Sequence, residues 1–255
     1  MKGLELAIAL ILGAVLGSFL NVCIYRLPRE ESIIWPGSHC PHCRKPLAWY
    51  DNIPLLSYLI LRGRCRYCKA PISWRYPVVE LATVFLAGAL YMHFGLKPVY
   101  FIFLAFACAL LVASFIDLEF QIIPDEISLP GILVGLASSP FNPLTTPLEA
   151  LLGALCGAGG LYLVAEFYYF LTKREGLGGG DLKLLAMIGA FLGVKSLLPV
   201  LLLASFTGAT AGIILTFIRK VKEVRTYALP FGPFLALGAL IYLFYPRFLA
   251  FWLPF

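Results

Sequence analysis

Charged residues are scarce in this sequence. Only 13% of its 255 residues are Asp, Glu, Lys or Arg, whereas 60% are hydrophobic. Soluble domains carry about twice that share of charge, so the composition excludes an ordinary soluble protein and indicates a chain that crosses a membrane several times. The only long polar stretch covers residues 26–77.

Histidine is scarce as well, with three residues in the chain. The His-Glu-x-x-His pattern of many zinc proteases is absent, which disfavours a metalloprotease. A serine or cysteine protease needs a general base beside its nucleophile, and His93 lies in a predicted membrane span. A cleavable signal peptide is also disfavoured, because the first apolar run lacks Ala-x-Ala and is followed directly by Arg26 and Arg29.

Eight apolar runs are long enough, or nearly long enough, to cross a bilayer, which takes roughly 20 apolar residues. The fourth and sixth are short, so we expect them to be tilted, or incomplete and packed inside the bundle. The sequence predicts an all-α polytopic membrane protein with about eight transmembrane helices, over residues 4–25, 78–95, 99–116, 127–141, 147–171, 182–194, 196–217 and 231–253.

The placement of basic residues predicts the orientation. With the N-terminus outside, the cytoplasmic segments hold sixteen of the twenty Lys and Arg residues, and the outer side holds Lys2, Lys97, Lys195 and Arg247. This is a strong positive-inside bias, and an even number of spans then puts both termini outside. The net charge of +6 reflects topology and contact with membrane lipid, and it gives no support for nucleic-acid binding.

The polar stretch contains two Cys-x-x-Cys pairs with 21 residues between them. The spacing is typical of a zinc ribbon, in which each pair offers two thiolates to one tetrahedral ion. A redox dithiol is an alternative, but two matched pairs are unusual for it, and disulfides are disfavoured in a reducing cytosol. We predict a small zinc-ribbon-like insertion between helices 1 and 2, with a structural Zn²⁺ held by Cys40, Cys43, Cys65 and Cys68. His39 and His42 are alternative ligands.

Two aspartates lie at the edges of apolar runs, where carboxylates are costly, rare and usually functional. Asp117 closes the run 99–116, and Asp181 opens another run on the same predicted side of the membrane. Two neighbouring carboxyls cannot both ionise cheaply, so one keeps a proton while the other activates water. Expected helix ends favour Asp117 as the acid and Asp181 as the base. The alternative is that each is a solvated interface residue.

Several neighbours are candidates to support these aspartates. Three glycines precede Asp181: Gly178, Gly179 and Gly180. They can adopt backbone torsions that are unfavourable for other residues, and they allow a substrate strand to approach closely. The alternative is that they form a flexible loop. Pro124 and Asp125 resemble the first turn and the N-cap of the next helix. Asp125 is a candidate to hydrogen-bond the site, and Lys183 to contact substrate or lipid phosphate.

Most of the chain resembles one family, the type IV prepilin leader peptidases, which are membrane aspartic proteases of the Gly-x-Gly-Asp type. The motifs occur in family order, and together they are highly specific. Besides the two cysteine pairs, they are residues 16–28, 52–58, 75–81, 116–125, 178–184 and 230–233.

The resemblance implies an activity. Members cut the basic leader from type IV prepilins and related pseudopilins after a glycine, at the cytoplasmic face of the bacterial inner membrane. It also implies that Asp117 and Asp181 are catalytic. Bacterial members with the two-knuckle loop also N-methylate the new N-terminal residue, often phenylalanine, using S-adenosylmethionine. No familiar glycine-rich methyl-donor motif is visible in residues 26–77, so the position of that site is unknown.

These expectations divide the chain into a first transmembrane helix (1–25), a cytoplasmic zinc-binding loop domain associated with methyl transfer (26–77) and a transmembrane peptidase domain (78–255). Two other classes of protein remain as alternatives. A proton-coupled transporter predicts acids near span centres and internal repeats, whereas here the acids lie at span edges. A zinc-ribbon membrane scaffold predicts that the acids are inert.

Overall fold

The computed structural model describes residues 2–173, 178–219 and 229–246. In these ranges the chain forms nine α-helices and a few short 3₁₀ turns, with no β-sheet. The helices are α1 (Lys2–Arg26), α2 (Leu56–Ile60), α3 (Arg75–Phe94), α4 (Pro98–Phe120), α5 (Asp125–Ser138), α6 (Pro147–Thr172), α7 (Gly179–Leu192), α8 (Leu197–Arg219) and α9 (Gly232–Phe244). The predicted all-α class is confirmed.

Five stretches of the described chain are long and apolar enough to cross a membrane: Lys2–Arg29, Arg75–Phe94, Pro98–Phe120, Pro147–Thr172 and Val194–Ile218. Each of the eight predicted runs holds a helix, but α5, α7 and α9 have only 14, 14 and 13 residues. The predicted count of eight spans is therefore not confirmed. Residues 247–253 of the last predicted run lie outside the described residues.

The chain divides into two compact units, Met1–Val112 and Ala113–Phe255. In the first unit α1 packs against α3 through glycines. A Cβ on Gly13 would lie 2.7 Å from the Cβ of Ala87, and one on Gly17 would lie 2.8 Å from the Cα of Glu80. Small residues of this kind let two membrane helices approach closely. The domain boundaries expected from the sequence near residues 25 and 77 stay a prediction.

The second unit is built around α7. Its residues from Leu184 to Leu192 are all buried, because glycines let the neighbouring helices approach it. A Cβ on Gly157 of α6 would lie 2.7 Å from the carbonyl oxygen of Leu185. Another on Gly135 of α5 would lie 2.8 Å from the Cβ of Ala190. A helix that is apolar all round is a core helix, so the expectation that this run is short and packed inside the bundle is met.

Local sequence also defines helix starts. Thr146 and Glu149 form a capping box at the start of α6, with Pro147 in the first turn. At α5 the N-cap is Pro124, without a side-chain cap, and Asp125 is the first helical residue. The interpretation of Asp125 as the N-cap was therefore wrong by one position.

Candidate active site and metal centre

Asp117 lies in the last turn of α4, as its place in the sequence predicted. Its side chain is buried, with 6% of the residue exposed. The Oδ2 atom accepts a hydrogen bond of 2.8 Å from the backbone N–H of Gly232, the first residue of α9. The carboxyl group therefore meets the positive end of a second helix, which stabilises its anionic form.

Asp181 lies in the first turn of α7, two residues after Gly179. It is half-buried. The pKa of Asp181 is raised to about 6, mainly by burial and secondly by the negative charge of Asp117, while a backbone hydrogen bond from Gly178 opposes the rise. The two carboxyl groups thus lie within electrostatic reach of each other, and Asp181 holds a proton more readily than an ordinary aspartate.

Ile123 packs against the first turn of α7, which carries Asp181, and against the first residue of α9, which donates to Asp117. A Cβ on Gly180 would lie 2.9 Å from the Cβ of Ile123, and one on Gly232 would lie 3.2 Å from its Cδ1 and 2.7 Å from Oδ2 of Asp117. A larger residue at either glycine would have to displace Ile123 or the carboxylate. The close approach of the segments that carry the two aspartates therefore depends on these two glycines.

The three glycines before Asp181 do not act as expected. None has a positive φ angle, and Gly178 is the extended N-cap of α7 with φ −73° and ψ 139°. The torsional argument was therefore wrong, since other residues adopt these angles. Ile123 occupies the space beside Gly180, whereas a Cβ on Gly179 would meet nothing within 4 Å. The expected approach of a substrate strand stays a prediction.

The two proposed support side chains bind each other. Lys183 Nζ donates to both carboxylate oxygens of Asp125, at 2.6 and 2.8 Å. Both side chains are about half exposed (40% and 53%), and exposed ion pairs of this kind contribute roughly 0–1 kcal/mol to stability. The pair connects the first residue of α5 to the second turn of α7, near the aspartates. Its role in the site stays a prediction.

Sequence reasoning missed two residues at this site, Gly232 and Ile123. Both belong to motifs that carried the family resemblance, residues 230–233 and 116–125. The spacing of the aspartates gave no reason to select them, because their role depends on contacts between distant segments. The arrangement can do acid–base work on water, because the two carboxyl groups lie within electrostatic reach of each other and the pKa of Asp181 is raised to about 6, mainly by burial and secondly by Asp117.

The predicted metal ligands come together in the first unit. The Sγ atoms of Cys40, Cys43, Cys65 and Cys68 all lie within 4.8 Å of one another, and two of them, on Cys40 and Cys68, are 3.8 Å apart. A tetrahedral ion with zinc–sulfur bonds of about 2.3 Å puts its sulfurs about 3.8 Å apart. The cluster therefore has the size and the donor set of a structural zinc site.

The two cysteine pairs lie in matching backbone turns. Cys40 N–H donates to the carbonyl oxygen of Lys45 at 3.0 Å, and Cys65 N–H donates to that of Ala70 at 2.8 Å. In each turn the residue four positions after the first cysteine has a positive φ, which is 54° at Arg44 and 60° at Lys69. The repeat follows the sequence, in which each pair is followed directly by a basic residue and, two positions later, by a proline.

Backbone amides in the second turn favour the thiolate that binds metal. The pKa of the Cys65 thiol is lowered to about 6, chiefly by the backbone N–H of Cys68. Beside it, Arg66 makes a bidentate pair with the buried Asp51, at 2.7–3.1 Å. This pair joins the second turn to the 3₁₀ turn Trp49–Asn52. It therefore orients residues 38–73, which carry both cysteine pairs and are called the cysteine loop below.

Comparison with known proteins places the whole chain in one group. The model of the Bacterial Peptidase A24 N-terminal domain matches residues 11–94, and that of the Type IV leader peptidase family matches residues 104–213. The prepilin leader peptidase/N-methyltransferase of Burkholderia pseudomallei is 37% identical over 95% of this chain and 86% of its own length. Two proteins of the same name are about as similar. The one from Xanthomonas campestris is 38% identical over 95% of this chain and 92% of its own length. The one from Pseudomonas aeruginosa is 37% identical over 91% of this chain and 87% of its own length. No solved structure matches the chain.

Proposed function

The chain belongs to the type IV leader peptidase family, and from this membership we propose that it is an aspartic endopeptidase of the bacterial inner membrane. It removes the short leader of type IV prepilins or pseudopilins after a glycine. The observation that carries the proposal is the electrostatic coupling of Asp181 to Asp117 in one compact unit. An inert scaffold has no need of such a pair, and the named relatives are peptidases and not transporters.

In the proposed reaction the two aspartates divide the proton transfers. Asp117 takes a proton from water as the water oxygen bonds to the scissile carbonyl carbon, and Asp181 gives its proton to the carbonyl oxygen. As the tetrahedral intermediate collapses, the carbon–nitrogen bond breaks, the amine leaves with the proton held by Asp117, and one hydroxyl of the intermediate returns a proton to Asp181 as the carbonyl group re-forms. The hydrogen bond from Gly232 and the raised pKa of Asp181 support this assignment, which is the reverse of the one expected from helix ends in the sequence.

The raised pKa of Asp181 predicts a pH dependence. The protonated form is the active one, and it is lost as pH rises through the pKa of about 6. We expect kcat/KM for leader cleavage to fall by about tenfold for each pH unit above that point, because kcat/KM reports groups of the free enzyme. The apparent pKa obtained from this profile describes Asp117 and Asp181 together, because their titrations are coupled.

The measurement is the initial rate of cleavage at low substrate concentration, between about pH 5 and about pH 8. The control is to return the enzyme to the starting pH, where full recovery shows that the loss is titration and not denaturation. A flat profile over this range would contradict the assignment of Asp181 as the proton donor.

We further propose that the enzyme methylates the new N-terminus. The amine nitrogen, after losing one proton to solvent, attacks the methyl carbon of S-adenosylmethionine. The carbon–sulfur bond breaks, its electron pair stays on sulfur as a neutral thioether, and the methylated amine carries the positive charge. Support comes from the relatives, which are named as N-methyltransferases as well as peptidases.

For the membrane arrangement we propose both termini outside and the aspartates at the cytoplasmic face, on the strength of the basic-residue bias. The proposed metal is a structural Zn²⁺, since four cysteines fill a tetrahedral ion and leave no position for a reacting group. The ion would hold together residues 26–77, which have few buried apolar residues of their own.

The test is incubation of the purified full-length protein with a prepilin, with and without S-adenosylmethionine, followed by mass spectrometry. We expect loss of the leader mass in both reactions and a gain of one methyl group only when the donor is present. Leader loss without methyl gain would overturn the methyltransferase part alone. An intact prepilin in both reactions would overturn the peptidase assignment and favour the scaffold or transporter.

A further inference from the structure

The first unit contains a cavity of about 180 Å³ that lies among α1, α3 and the cysteine loop. Its lining includes three tyrosines, Tyr25, Tyr58 and Tyr76. It also includes two polar side chains, Asn21 of α1 and Glu80 of α3. Neither polar side chain takes part in the proposed peptide cleavage. Polar groups in a mainly apolar pocket usually orient a ligand.

Asn21 has an unsatisfied acceptor at this cavity. The side chain is buried, with 1% of the residue exposed. Its Nδ2 donates to the carbonyl oxygens of Gly17 at 3.3 Å and Tyr76 at 3.1 Å, which fixes the orientation of the amide. Its Oδ1 is buried and, within the described part of the chain, has no hydrogen-bond partner. Buried acceptors are rarely left in that state unless a ligand or a water completes them.

Glu80 adds a buried carboxyl group to the same cavity. Only 7% of the residue is exposed, and Oε2 accepts a hydrogen bond of 2.7 Å from the N–H of Leu55. Leu55 has a φ of 63°, so the loop adopts an unfavourable backbone conformation where it meets this carboxylate.

Both arginines that line the cavity are already engaged. Arg26 donates to the carbonyl oxygens of Ser32, Pro36 and Gly37, and Arg66 is held by Asp51. Besides His39 and His42, the cavity therefore offers a ligand the carboxyl group of Glu80 and aromatic rings. A carboxylate and ring faces both attract a cation.

We propose that this cavity binds the positively charged amino-acid portion of S-adenosylmethionine, with Glu80 and the tyrosine rings facing its ammonium and sulfonium groups. The inference rests on the proposed methyl transfer and adds the location that the sequence did not provide. The volume is below the roughly 300–1,000 Å³ of sites for whole drug-sized ligands. The cavity therefore fits the charged portion, with the nucleoside at its open side.

The test compares the dissociation constant of S-adenosylmethionine for the full-length protein and its Glu80→Gln variant by calorimetry. Gln keeps the size of the side chain and an oxygen that can accept from Leu55. We expect binding to weaken about tenfold or more, the size of a lost charged hydrogen bond. The matched control is Glu5→Gln in the first turn of α1, where Glu5 accepts a hydrogen bond from the Tyr91 hydroxyl. The affinity of this variant for S-adenosylmethionine should equal that of the parent.

A second measurement does not depend on a variant. Ultraviolet crosslinking of labelled S-adenosylmethionine to the unaltered protein, followed by peptide mapping, should mark residues 16–28 or 51–80. A label confined to residues 113–246 would overturn the inference.

Failure of this inference can be told apart from failure of the proposed function. If the parent binds and methylates while Glu80→Gln binds equally well, the location is wrong and the function stands. If Glu80→Gln binds the donor normally but has a higher KM for the cleaved pilin, the cation in this cavity is the substrate amine, and our assignment is overturned. A parent that cleaves prepilin but does not bind the donor would overturn the methyl-transfer function and this inference together.

Discussion

Replacement of Asp117 or Asp181 by asparagine is expected to lower kcat for leader cleavage by roughly 10²–10⁴-fold, the usual contribution of a positioned acid or base. Asparagine has nearly the size of aspartate, and at position 117 its oxygen can still accept the hydrogen bond from Gly232. What it lacks is the ability to take or give a proton. The loss should therefore appear in kcat with little change in KM. The measurement is steady-state cleavage of a purified prepilin.

The matched control is Glu126→Gln, an exposed acid in the first turn of α5, which should retain the parent's rate. Both asparagine variants should also retain binding of S-adenosylmethionine, which shows that the chain is folded. If either variant kept more than about a tenth of the parent's kcat, its aspartate would not be acting as an acid or base in the reaction.

The second large effect is expected at the metal centre. Replacement of Cys65 by serine should reduce bound zinc from about one ion per chain to almost none, since three thiolates bind the ion far more weakly than four. Structural zinc contributes about 10–16 kcal/mol of binding free energy in small domains. We therefore expect residues 26–77 of the variant to become sensitive to protease. Elemental analysis and limited proteolysis of the purified protein provide the measurements.

Cys156→Ser is the matched control, because Cys156 is exposed on α6 and lies outside the four-cysteine cluster. It should keep both the zinc and the resistance to protease. Zinc retained at the parent's level in Cys65→Ser would contradict the ligand assignment, and so would a parent that carries no metal when purified without chelator.

The residues found from the sequence share a physical property: each is costly or unusual where it stands. Asp117 and Asp181 were visible because carboxylates at the edges of apolar runs are unfavourable. The four cysteines were visible because two matched pairs define a ligand set by spacing alone. Such signals are local, so a single sequence suffices to find them.

The features that the sequence did not predict depend on contacts between segments far apart in the chain. The hydrogen bond from Gly232 to Asp117 crosses 115 positions, and it supports the proposed reversal of roles between the two aspartates. The glycines before Asp181 were expected to supply backbone freedom and room for a substrate strand, whereas Ile123 occupies the space beside Gly180. Apolarity alone also does not distinguish a buried helix such as α7 from a span, because the two have the same composition.

The contact between Gly232 and Asp117 has a consequence for mutational surveys. The donor is a peptide N–H, which every residue except proline supplies, and glycine has no side chain to truncate. An alanine scan of the chain leaves this donor in place at every position and records at Gly232 only the crowding from an added methyl group. A loss of activity at Gly232 in such a scan would therefore report displacement of the Asp117 carboxylate or of Ile123, and not removal of the main-chain donor.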